Sequence, residues 1–388
     1  MWWLTITWTI ALIYPILTTG FQPISSSQYT IRWNSQVACR GKARDDVDSI
    51  VSSLGLAQVE KGKKKKQSQT KTKKKPSSTL LSEESKSMVG SKVGLRTQLD
   101  YSRNGHAVLR DHIDPKLLKD VRTAVMGHAQ MEEIKSWRQK VQVALDSPEI
   151  AASCKTIEDC QEQLESLGIV DIPFLQYFNT WRTLPVVKEL AYALAESASI
   201  LLDVPKVRLY QDSIFWKRSV DGPTPWHVDS KMAPFDTSHF VTFWIPLTPV
   251  PSSGTGLMFC SKSHADFALP YWNPVSVSGK ESSEWDRLEH RYPEKIIDYM
   301  PMKVGDLTVH SGWTLHCAGA SDQTSDRIAL AISFVDANAE IRPDALDTTG
   351  KGDNEDLNGY LEWATSVKPR SKFEHPMVPI VWPRSWSV

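Results

Sequence analysis

The stretch VRLYQDSIFWK (207–217) decides the fold, because the chain changes there from helical to strand-like spacing of its apolar residues. Residues 114–202 before it have mainly helical periodicity and end in LPVVKELAYALAESASILL. After it come further short apolar runs that are typical of strands: HFVTFWIPLTPV (239–250), GLMFC (256–260), DLTVH (306–310) and RIALAISFV (327–335). Helices followed by many short strands predict a mainly β fold, a double-stranded β-helix of the jelly-roll or cupin-like type flanked by N-terminal helices.

Length and charge indicate one large folded domain behind a basic N-terminal region. The chain has 388 residues, with 45 Lys+Arg and 45 Asp+Glu, so its formal net charge is zero. This balance hides an asymmetry, because residues 1–80 contain 13 basic and 4 acidic side chains, whereas the remainder contains 32 and 41. A single domain that fills most of the chain fits this better than two equal domains. The five cysteines form no CxxC pair, and a fold of this size needs no disulfide framework.

Composition divides the N-terminal region into three segments. Residues 1–20 are apolar and predict a signal-like segment, too short and interrupted for a membrane span, so no stable span is expected in the mature form. Residues 21–60 start with a hydroxyl-rich stretch without acids, as organellar transit peptides do; plastid import and an ER or secretory route both remain open. Residues 61–96 begin with KGKKKKQSQTKTKKK, whose nine lysines predict a disordered linker. No aromatic residues interrupt this run for base stacking, so no nucleic-acid partner is expected.

A His-x-Asp triplet occurs three times, and its context selects one copy as a metal site. Asp114 of the first copy stands before Pro115, which predicts a helix N-cap. His264 of the last copy follows a turn-prone stretch and is predicted to be a hydrogen-bonded loop residue. His227 and Asp229, in TPWHVDSK, remain as candidates. Because alternate residues of a strand point the same way, both side chains are expected to face the inside of the barrel from one strand.

His316, in WTLHCAG, is the predicted third ligand, with His310 as its main rival. Two imidazoles and one carboxylate on one face of the metal are the ligand set of non-haem Fe(II) oxygenases. After His316, the polar segment CAGASDQTSD leads into RIALAISF, which alternates as a half-buried strand does. We expect a hairpin here that returns Arg327 to the metal, where its permanently charged guanidinium would anchor a carboxylate.

These residues resemble the phytanoyl-CoA dioxygenase family of Fe(II)- and 2-oxoglutarate-dependent oxygenases, which includes ectoine hydroxylase. The resemblance rests on His227-x-Asp229, then His316, then Arg327 eleven positions on. It extends to YSRNGHAVLRDHIDPKLLKDVR (101–122), VRLYQDSIFWK (207–217) and MKVGDLTVHSGWTLHCAG (302–319). It therefore implies a dioxygenase domain over residues 97–388.

The resemblance also implies a chemistry and a set of roles. His227, Asp229 and His316 would hold Fe(II), Arg327 would pair with the far carboxylate of the cosubstrate 2-oxoglutarate, and O2 would take the remaining position. The family reaction converts 2-oxoglutarate to succinate and CO2. Three further residues match family positions near the cosubstrate, namely Trp244, Lys217 and Gln211. Trp244 fits plain core equally well, and Lys217 fits a solvated strand end.

Two details bear on the activity that the resemblance implies. Ala318 stands where the family often has a serine or another small polar residue, so a hydroxyl contact to the cosubstrate would be missing. Asp229 argues against a halogenase, because those relatives need a small residue at this position. The predicted activity is hydroxylation of a small or lipid-like organic substrate. The alternative is a catalytically silent, metal-binding jelly roll that acts as a binding module.

Overall fold

The computed structural model describes residues 89–90, 93–169, 172, 174–219, 221–266, 292, 295–320, 325–346 and 359–383. The signal-like segment 1–20, the transit-peptide-like region 21–60 and the lysine run lie outside these residues, so the predicted domain boundaries stay predictions. Val89, the first described residue, forms an isolated antiparallel bridge with Ile113. Within the described residues, no helix combines the length and the apolar character needed to cross a bilayer.

Most of the helical residues precede the strand at residues 207–217, as expected. The helices are α1 (Leu95–Asn104), α2 (Pro115–Met131), α3 (Glu133–Leu145), α4 (Pro148–Ser153), α5 (Ile157–Ser166), α6 (Pro185–Leu202), α7 (Asp229–Met232) and α8 (Leu361–Ala364). Asp114 caps α2 as the sequence predicts, because its carboxylate accepts a hydrogen bond from the backbone N–H of Lys116 at 2.8 Å. Pro115 takes the first position of that helix, where its missing N–H costs nothing.

Two antiparallel sheets form the core of the molecule. The strands are β1 (His106–Leu109), β2 (Leu175–Phe178), β3 (Val207–Lys217), β4 (Thr224–His227), β5 (Phe235–Asp236), β6 (Phe240–Pro246), β7 (Leu257–Cys260), β8 (Ile296–Asp298), β9 (Leu307–Ser311), β10 (His316–Ala318), β11 (Arg327–Asp336), β12 (Glu340–Ile341) and β13 (Ile380–Trp382). The larger sheet has the order β1-β9-β6-β11-β3-β13, with β2 also paired to β3. The smaller sheet has the order β4-β10-β7-β8, and β12 pairs with β5 separately. The predicted mainly β jelly-roll core is confirmed.

The helices cover one face of the larger sheet. Leu190 and Leu194 of α6 are fully buried in one apolar cluster with Phe243 of β6 and Leu330 of β11. Because side chains alternate along a strand, the residues between these apolar positions face the other way, toward the smaller sheet. Phe259 of the smaller sheet contacts this inner face, with its ring 5.5 Å from that of His310. The predicted helical support on one face is thus confirmed.

A β-bulge in β3 determines which of its residues reach the inner face. Ser333 of β11 lies opposite Gln211, but the next residue, Phe334, lies opposite Leu209, so Tyr210 is the extra residue. Leu209 packs among the helices, whereas residues 211, 213, 215 and 217 face inward. The bulge therefore brings Gln211 and Lys217 to the same side as the inner residues of β6 and β11.

β2 and β8 are among the short strands that the sequence does not predict. β2 interrupts the stretch 114–202 that we expected to be mainly helical, and it pairs with β3 at the sheet edge. β8 lies in the stretch between Ser263 and Met300 that has little strand pattern. Both strands are short edge strands, and the three residues of β8 are all exposed. Such strands depend on pairing with a neighbour more than on their own apolar pattern.

Candidate metal centre

The three predicted metal ligands lie together at one end of the inner space. His227 ends β4 and His316 begins β10, and these two strands pair so that the two histidines are directly opposite each other. One ligand atom from each of His227, Asp229 and His316 lies within 4.8 Å of the others. Asp229 Oδ1 is 3.8 Å from Nε2 of His227 and 3.6 Å from Nε2 of His316. This separation is suited to three ligands that share one ion.

Asp229 reaches this position by a route that differs from the expected one. We expected His227 and Asp229 to alternate along one strand, but β4 ends at His227 and Asp229 is the first residue of α7. The prediction of a shared strand is therefore wrong. The change from extended backbone at Val228 to helical backbone at Asp229 turns the carboxylate toward the two imidazoles.

Backbone carbonyls fix the orientation of both histidine rings. The Nδ1 atom of His227 lies 2.8 Å from the carbonyl oxygen of Pro225, and that of His316 lies 2.9 Å from the carbonyl oxygen of Thr314. A carbonyl oxygen only accepts, so each Nδ1 must carry the proton in these bonds. Each Nε2 then keeps its lone pair and faces Asp229. This is the orientation that metal-bound histidines adopt.

Hydrogen bonds to Asp229 leave one of its oxygens directed at the histidines. Oδ2 accepts a hydrogen bond from the Thr242 hydroxyl at 2.7 Å and lies 3.2 Å from Nε2 of His310. Burial opposes ionisation of this carboxyl, but His316 and the hydrogen bond from His310 outweigh it and hold the pKa of Asp229 well below its ordinary value. Burial, followed by the neighbouring His227 and His310, lowers the pKa of His316 well below its ordinary value. An ionised carboxylate beside a neutral imidazole is the state that binds a metal.

His310, the rival for the third position, contacts Asp229 and is not part of the three-residue cluster. It is 1% exposed on β9, and its Nε2 points at Asp229 Oδ2 rather than at the space between the three ligands. Strand alternation alone did not separate His310 from His316. The hydrogen bond to Asp229 does separate them, because it assigns His310 to the shell around the ligands.

A row of polar side chains crosses the inner face at the level of the ligands. The strand pairing aligns His106, His310, Thr242, Ser333 and Gln211 on five adjacent strands. The hydroxyls of Thr242 and Ser333 lie 3.0 Å apart. Gln211, predicted to face the pocket, ends this row and is half-buried. Sequence reasoning missed Thr242 and Ser333, although Thr242 has the same inward parity as Trp244 two residues later.

Arg327 and Lys217 lie opposite each other on β11 and β3, further along the inner face. Arg327 is 3% exposed, and its guanidinium carbon is 5.4 Å from the centre of the Trp244 ring. Lys217 is fully buried and donates a hydrogen bond to the carbonyl oxygen of Gly222, so the reading of Lys217 as a solvated strand end is wrong. Trp244 is two residues from Thr242 on β6. It therefore separates the ligand level from the guanidinium.

The expected hairpin between β10 and β11 is not formed. β10 belongs to the smaller sheet and β11 to the larger one, so the two strands do not pair with each other. Arg327 approaches the inner space as the first residue of β11 rather than as the return strand of a hairpin. The two sheets thus each contribute to the site, with His227 and His316 on one and Arg327 on the other.

The two buried cations share one carboxylate that is already in use. Asp221 is 1% exposed and raises the pKa of both Lys217 and Arg327, but Arg218 donates to it at 2.6 Å. Burial, and then the positive charge of Arg327, lowers the pKa of Lys217 to about 8. Burial lowers the pKa of Arg327 to about 10. Two buried cations close together favour a negatively charged ligand, so this end of the site is suited to an anion.

The comparisons with known proteins agree with this geometry. The sequence profile described as phytanoyl-CoA dioxygenase (PhyH) matches residues 101–329. No curated protein sequence matches the chain significantly. Among solved structures, the non-heme alpha ketoglutarate dependent carbocyclase SnoK from nogalamycin biosynthesis is similar with a TM-score of 0.53 and 18% identity, over 75% of this chain and 98% of SnoK. This likeness is one of fold.

Two further solved structures are similar at a lower level. The alpha ketoglutarate dependent epimerase SnoN from the same biosynthesis has a TM-score of 0.48 and 18% identity, over 74% of this chain and 97% of SnoN. EctD from S. alaskensis, solved with 2-oxoglutarate and 5-hydroxyectoine, has a TM-score of 0.45 and 15% identity, over 64% of this chain and 78% of EctD. The family profile covers more than half of the chain and includes all four predicted site residues, His227, Asp229, His316 and Arg327. The chain belongs to the phytanoyl-CoA dioxygenase family of non-haem iron and 2-oxoglutarate-dependent oxygenases.

Proposed function

We propose that this protein is an Fe(II)- and 2-oxoglutarate-dependent dioxygenase that hydroxylates a small or lipid-like organic substrate. The observation that carries the proposal is the set of two Nε2 atoms and one carboxylate oxygen from His227, His316 and Asp229 within 4.8 Å of one another. Neutral imidazoles and a carboxylate on one side of an ion, with the other side open, suit ferrous iron and its exchangeable ligands. The residues present therefore fit this metal.

Each residue then has a stated task. His227, Asp229 and His316 hold the metal, and Thr242 and His310 keep the Asp229 carboxylate in one orientation. Arg327 binds the far carboxylate of 2-oxoglutarate, and Lys217 adds a second positive charge beside it. When bound, iron, 2-oxoglutarate and O2 supply an oxidation coupled to the release of succinate and CO2.

The inner face beyond the ligands keeps water away from the cosubstrate. Trp244 is 2% exposed, and it packs with Ala329 and Ala331 of β11 and with Phe215 of β3. The ligands themselves are unequally covered, because the side chain of His316 is 5% exposed whereas those of His227 and Asp229 are 26% and 20% exposed. We infer that the substrate approaches from the side of His227 and Asp229.

Anaerobic addition of Fe(II) and 2-oxoglutarate tests the proposal directly. Chelation of ferrous iron by a 2-oxo acid gives a weak visible charge-transfer band, which should appear only when metal and cosubstrate are both present. The same titration on His316→Ala is the control, since this variant lacks one ligand. Absence of the band from the unaltered protein at saturating concentrations would contradict the proposed cosubstrate.

A measurement of turnover distinguishes an active enzyme from a catalytically silent binding module. Succinate release in air, with candidate small metabolites added one at a time, identifies substrates by the rise above the background without substrate. Mass gain of one oxygen atom in the product identifies hydroxylation. Binding of metal and 2-oxoglutarate without succinate release from any candidate would favour the binding-module alternative. Asp229 favours hydroxylation over halogenation, because its carboxylate takes the position that a halide would need.

We further propose that an N-terminal presequence within residues 1–60 directs the enzyme to an organelle, possible destinations being the plastid and the ER or secretory route. The support is compositional, since an apolar segment precedes a hydroxyl-rich segment with arginine and without acids. Fusion of residues 1–60 to a fluorescent protein tests it, and diffuse cytosolic fluorescence would contradict both destinations.

A further inference from the structure

The hydroxyl that the family often supplies two residues after the distal histidine is absent here. Ala318 occupies that place, and the structure buries it in β10, where it pairs with Leu257 of β7. A methyl side chain offers no hydrogen bond to a carboxylate. A hydroxyl for the far carboxylate of 2-oxoglutarate must therefore come from another residue, if it is present at all.

Thr255 places a buried hydroxyl near the Arg327 guanidinium, from the segment before β7 rather than from β10. It precedes Leu257 by two residues in the segment that leads into β7, and it is 3% exposed. Its carbonyl oxygen accepts a hydrogen bond from the Nη1 atom of Arg327 at 3.0 Å. Covalent geometry keeps a threonine hydroxyl within about 3–5 Å of its own carbonyl oxygen. The Thr255 hydroxyl is thus adjacent to the Arg327 side chain.

Two polar atoms at this place have no partner among the described residues. They are the hydroxyl Oγ1 of Thr255 and the Nε atom of Arg327, both buried. Buried donors are nearly always hydrogen-bonded in folded proteins, because leaving them unpaired costs free energy. Two such atoms, on residues joined by the hydrogen bond from Arg327 to Thr255, point to a ligand with more than one acceptor atom. A carboxylate has two oxygens and meets this requirement.

The charges near these atoms also select an anion. Lys217 lies opposite Arg327, and the nearby carboxylate of Asp221 is engaged by Arg218. A neutral ligand or a single water molecule would satisfy the donors but would bring no negative charge to the two cations. A carboxylate does both.

We propose that Thr255 is a cosubstrate-binding residue whose hydroxyl donates to the far carboxylate of 2-oxoglutarate and replaces the serine that is missing at Ala318. This inference rests on the proposed function. It differs from the family pattern in origin, since the hydroxyl comes from the segment before β7 instead of from the strand that carries the distal histidine. The guanidinium is then bound on one side by the Thr255 carbonyl and directs its free donors at the same anion.

The test measures binding of 2-oxoglutarate by calorimetry to the full-length protein loaded with Mn(II), which retains the metal without turnover. Thr255→Val removes the hydroxyl with little change of shape, and Thr255→Ser keeps the hydroxyl as the matched control. We expect the valine variant to bind 2-oxoglutarate about tenfold more weakly, the loss of one hydrogen bond to a charged group. The serine variant should stay within about threefold of the unaltered protein.

A second ligand distinguishes loss of a contact to the far carboxylate from a general disturbance of the binding site. 2-Oxopentanoate has the same chelating end but lacks the far carboxylate, so the unaltered protein and Thr255→Val should bind it with equal affinity. Equal binding of 2-oxoglutarate by these two proteins would overturn the inference, and so would an equal loss for both ligands in the variant. Thr255→Ala serves as the hydroxyl-free variant if the valine protein does not fold. Failure of the unaltered protein to bind 2-oxoglutarate would instead contradict the proposed function.

Discussion

At the metal end of the inner face, hydrogen bonds within the chain orient His227, Asp229 and His316. At the guanidinium end, the side chain of Arg327 is hydrogen-bonded only in part. The Nδ1 atoms of His227 and His316 bond to carbonyl oxygens, and Asp229 Oδ2 bonds to Thr242 and His310. Arg327, by contrast, has a buried Nε without a partner among the described residues. Groups of the chain therefore orient all three candidate metal ligands, whereas the guanidinium keeps a buried donor that the proposed anion would satisfy.

The largest expected effect tests the metal end. His316→Ala removes one of three ligands and leaves the carbonyl oxygen of Thr314 without its donor. We expect loss of stoichiometric iron and a fall in activity of roughly 100-fold or more. Metal analysis after desalting, with circular dichroism as the control for folding, measures this. A variant that keeps its iron would show that His316 is not a ligand.

Arg327→Ala tests the guanidinium end. It should weaken cosubstrate binding and leave metal binding unchanged. Metal retention should be unchanged, because Arg327 contacts none of the three ligands in the described structure. The 2-oxoglutarate concentration needed for half-maximal activity should rise by roughly 100-fold, since a buried charged partner is lost. Iron content and the 2-oxoglutarate requirement are measured side by side. Equal loss of iron in Arg327→Ala and His316→Ala would contradict the division of roles.

Thr242→Val tests whether the hydrogen bond from Thr242 to Asp229 matters for metal binding. The substitution removes the 2.7 Å hydrogen bond to Asp229 Oδ2 and keeps the side-chain volume. We expect metal affinity to fall about 10-fold to 100-fold, with an unchanged requirement for 2-oxoglutarate at saturating metal. Ser333→Ala is the matched control, because Ser333 contacts Thr242 but makes no hydrogen bond to Asp229. A larger loss of metal affinity in Ser333→Ala than in Thr242→Val would show that the polar side chains of the inner face act through packing.

The smallest expected effect is a pH dependence at the guanidinium end. Burial and Arg327 lower the pKa of Lys217 to about 8, with Asp221 opposing them. The charged Lys217 attracts a dianionic cosubstrate below this pH, and the neutral amine no longer does so above it. Affinity for 2-oxoglutarate should therefore fall by roughly threefold to tenfold as pH rises from 7 to 9. Lys217→Met should bind more weakly at pH 7 and lose this dependence, and a profile unchanged by the substitution would exclude a role for Lys217.

The sequence predicts the long strands and the clustering of the three candidate metal ligands, for an identifiable reason. β6 and β11 are long and carry an apolar pattern that marks them as strands without knowledge of their neighbours. His227, Asp229 and His316 belong to a spacing that the family profile also covers. Local pattern and short motifs suffice for both.

Features that depend on pairing between distant strands escape the same reasoning. The contact of Thr242 with Asp229 requires that β6 be aligned with β9 and that α7 begin at Asp229. Neither feature is encoded in the sequence next to Thr242. The expected hairpin after His316 is wrong because the two strands join different sheets. Thr255 gives no motif at all, since its hydroxyl is interpretable only beside Arg327.

The extra residue at Tyr210 gives β3 two halves of opposite phase. Upstream of it, Leu209 faces the helices, and downstream of it, Gln211 and Lys217 face the inner space. A one-residue insertion or deletion between Gln211 and Lys217 would change this phase and turn either the hydrophobic half or the charged half to the wrong side. Insertions and deletions in this strand are thus far more damaging than substitutions, and the length of β3 is itself a determinant of where the lysine's charge resides.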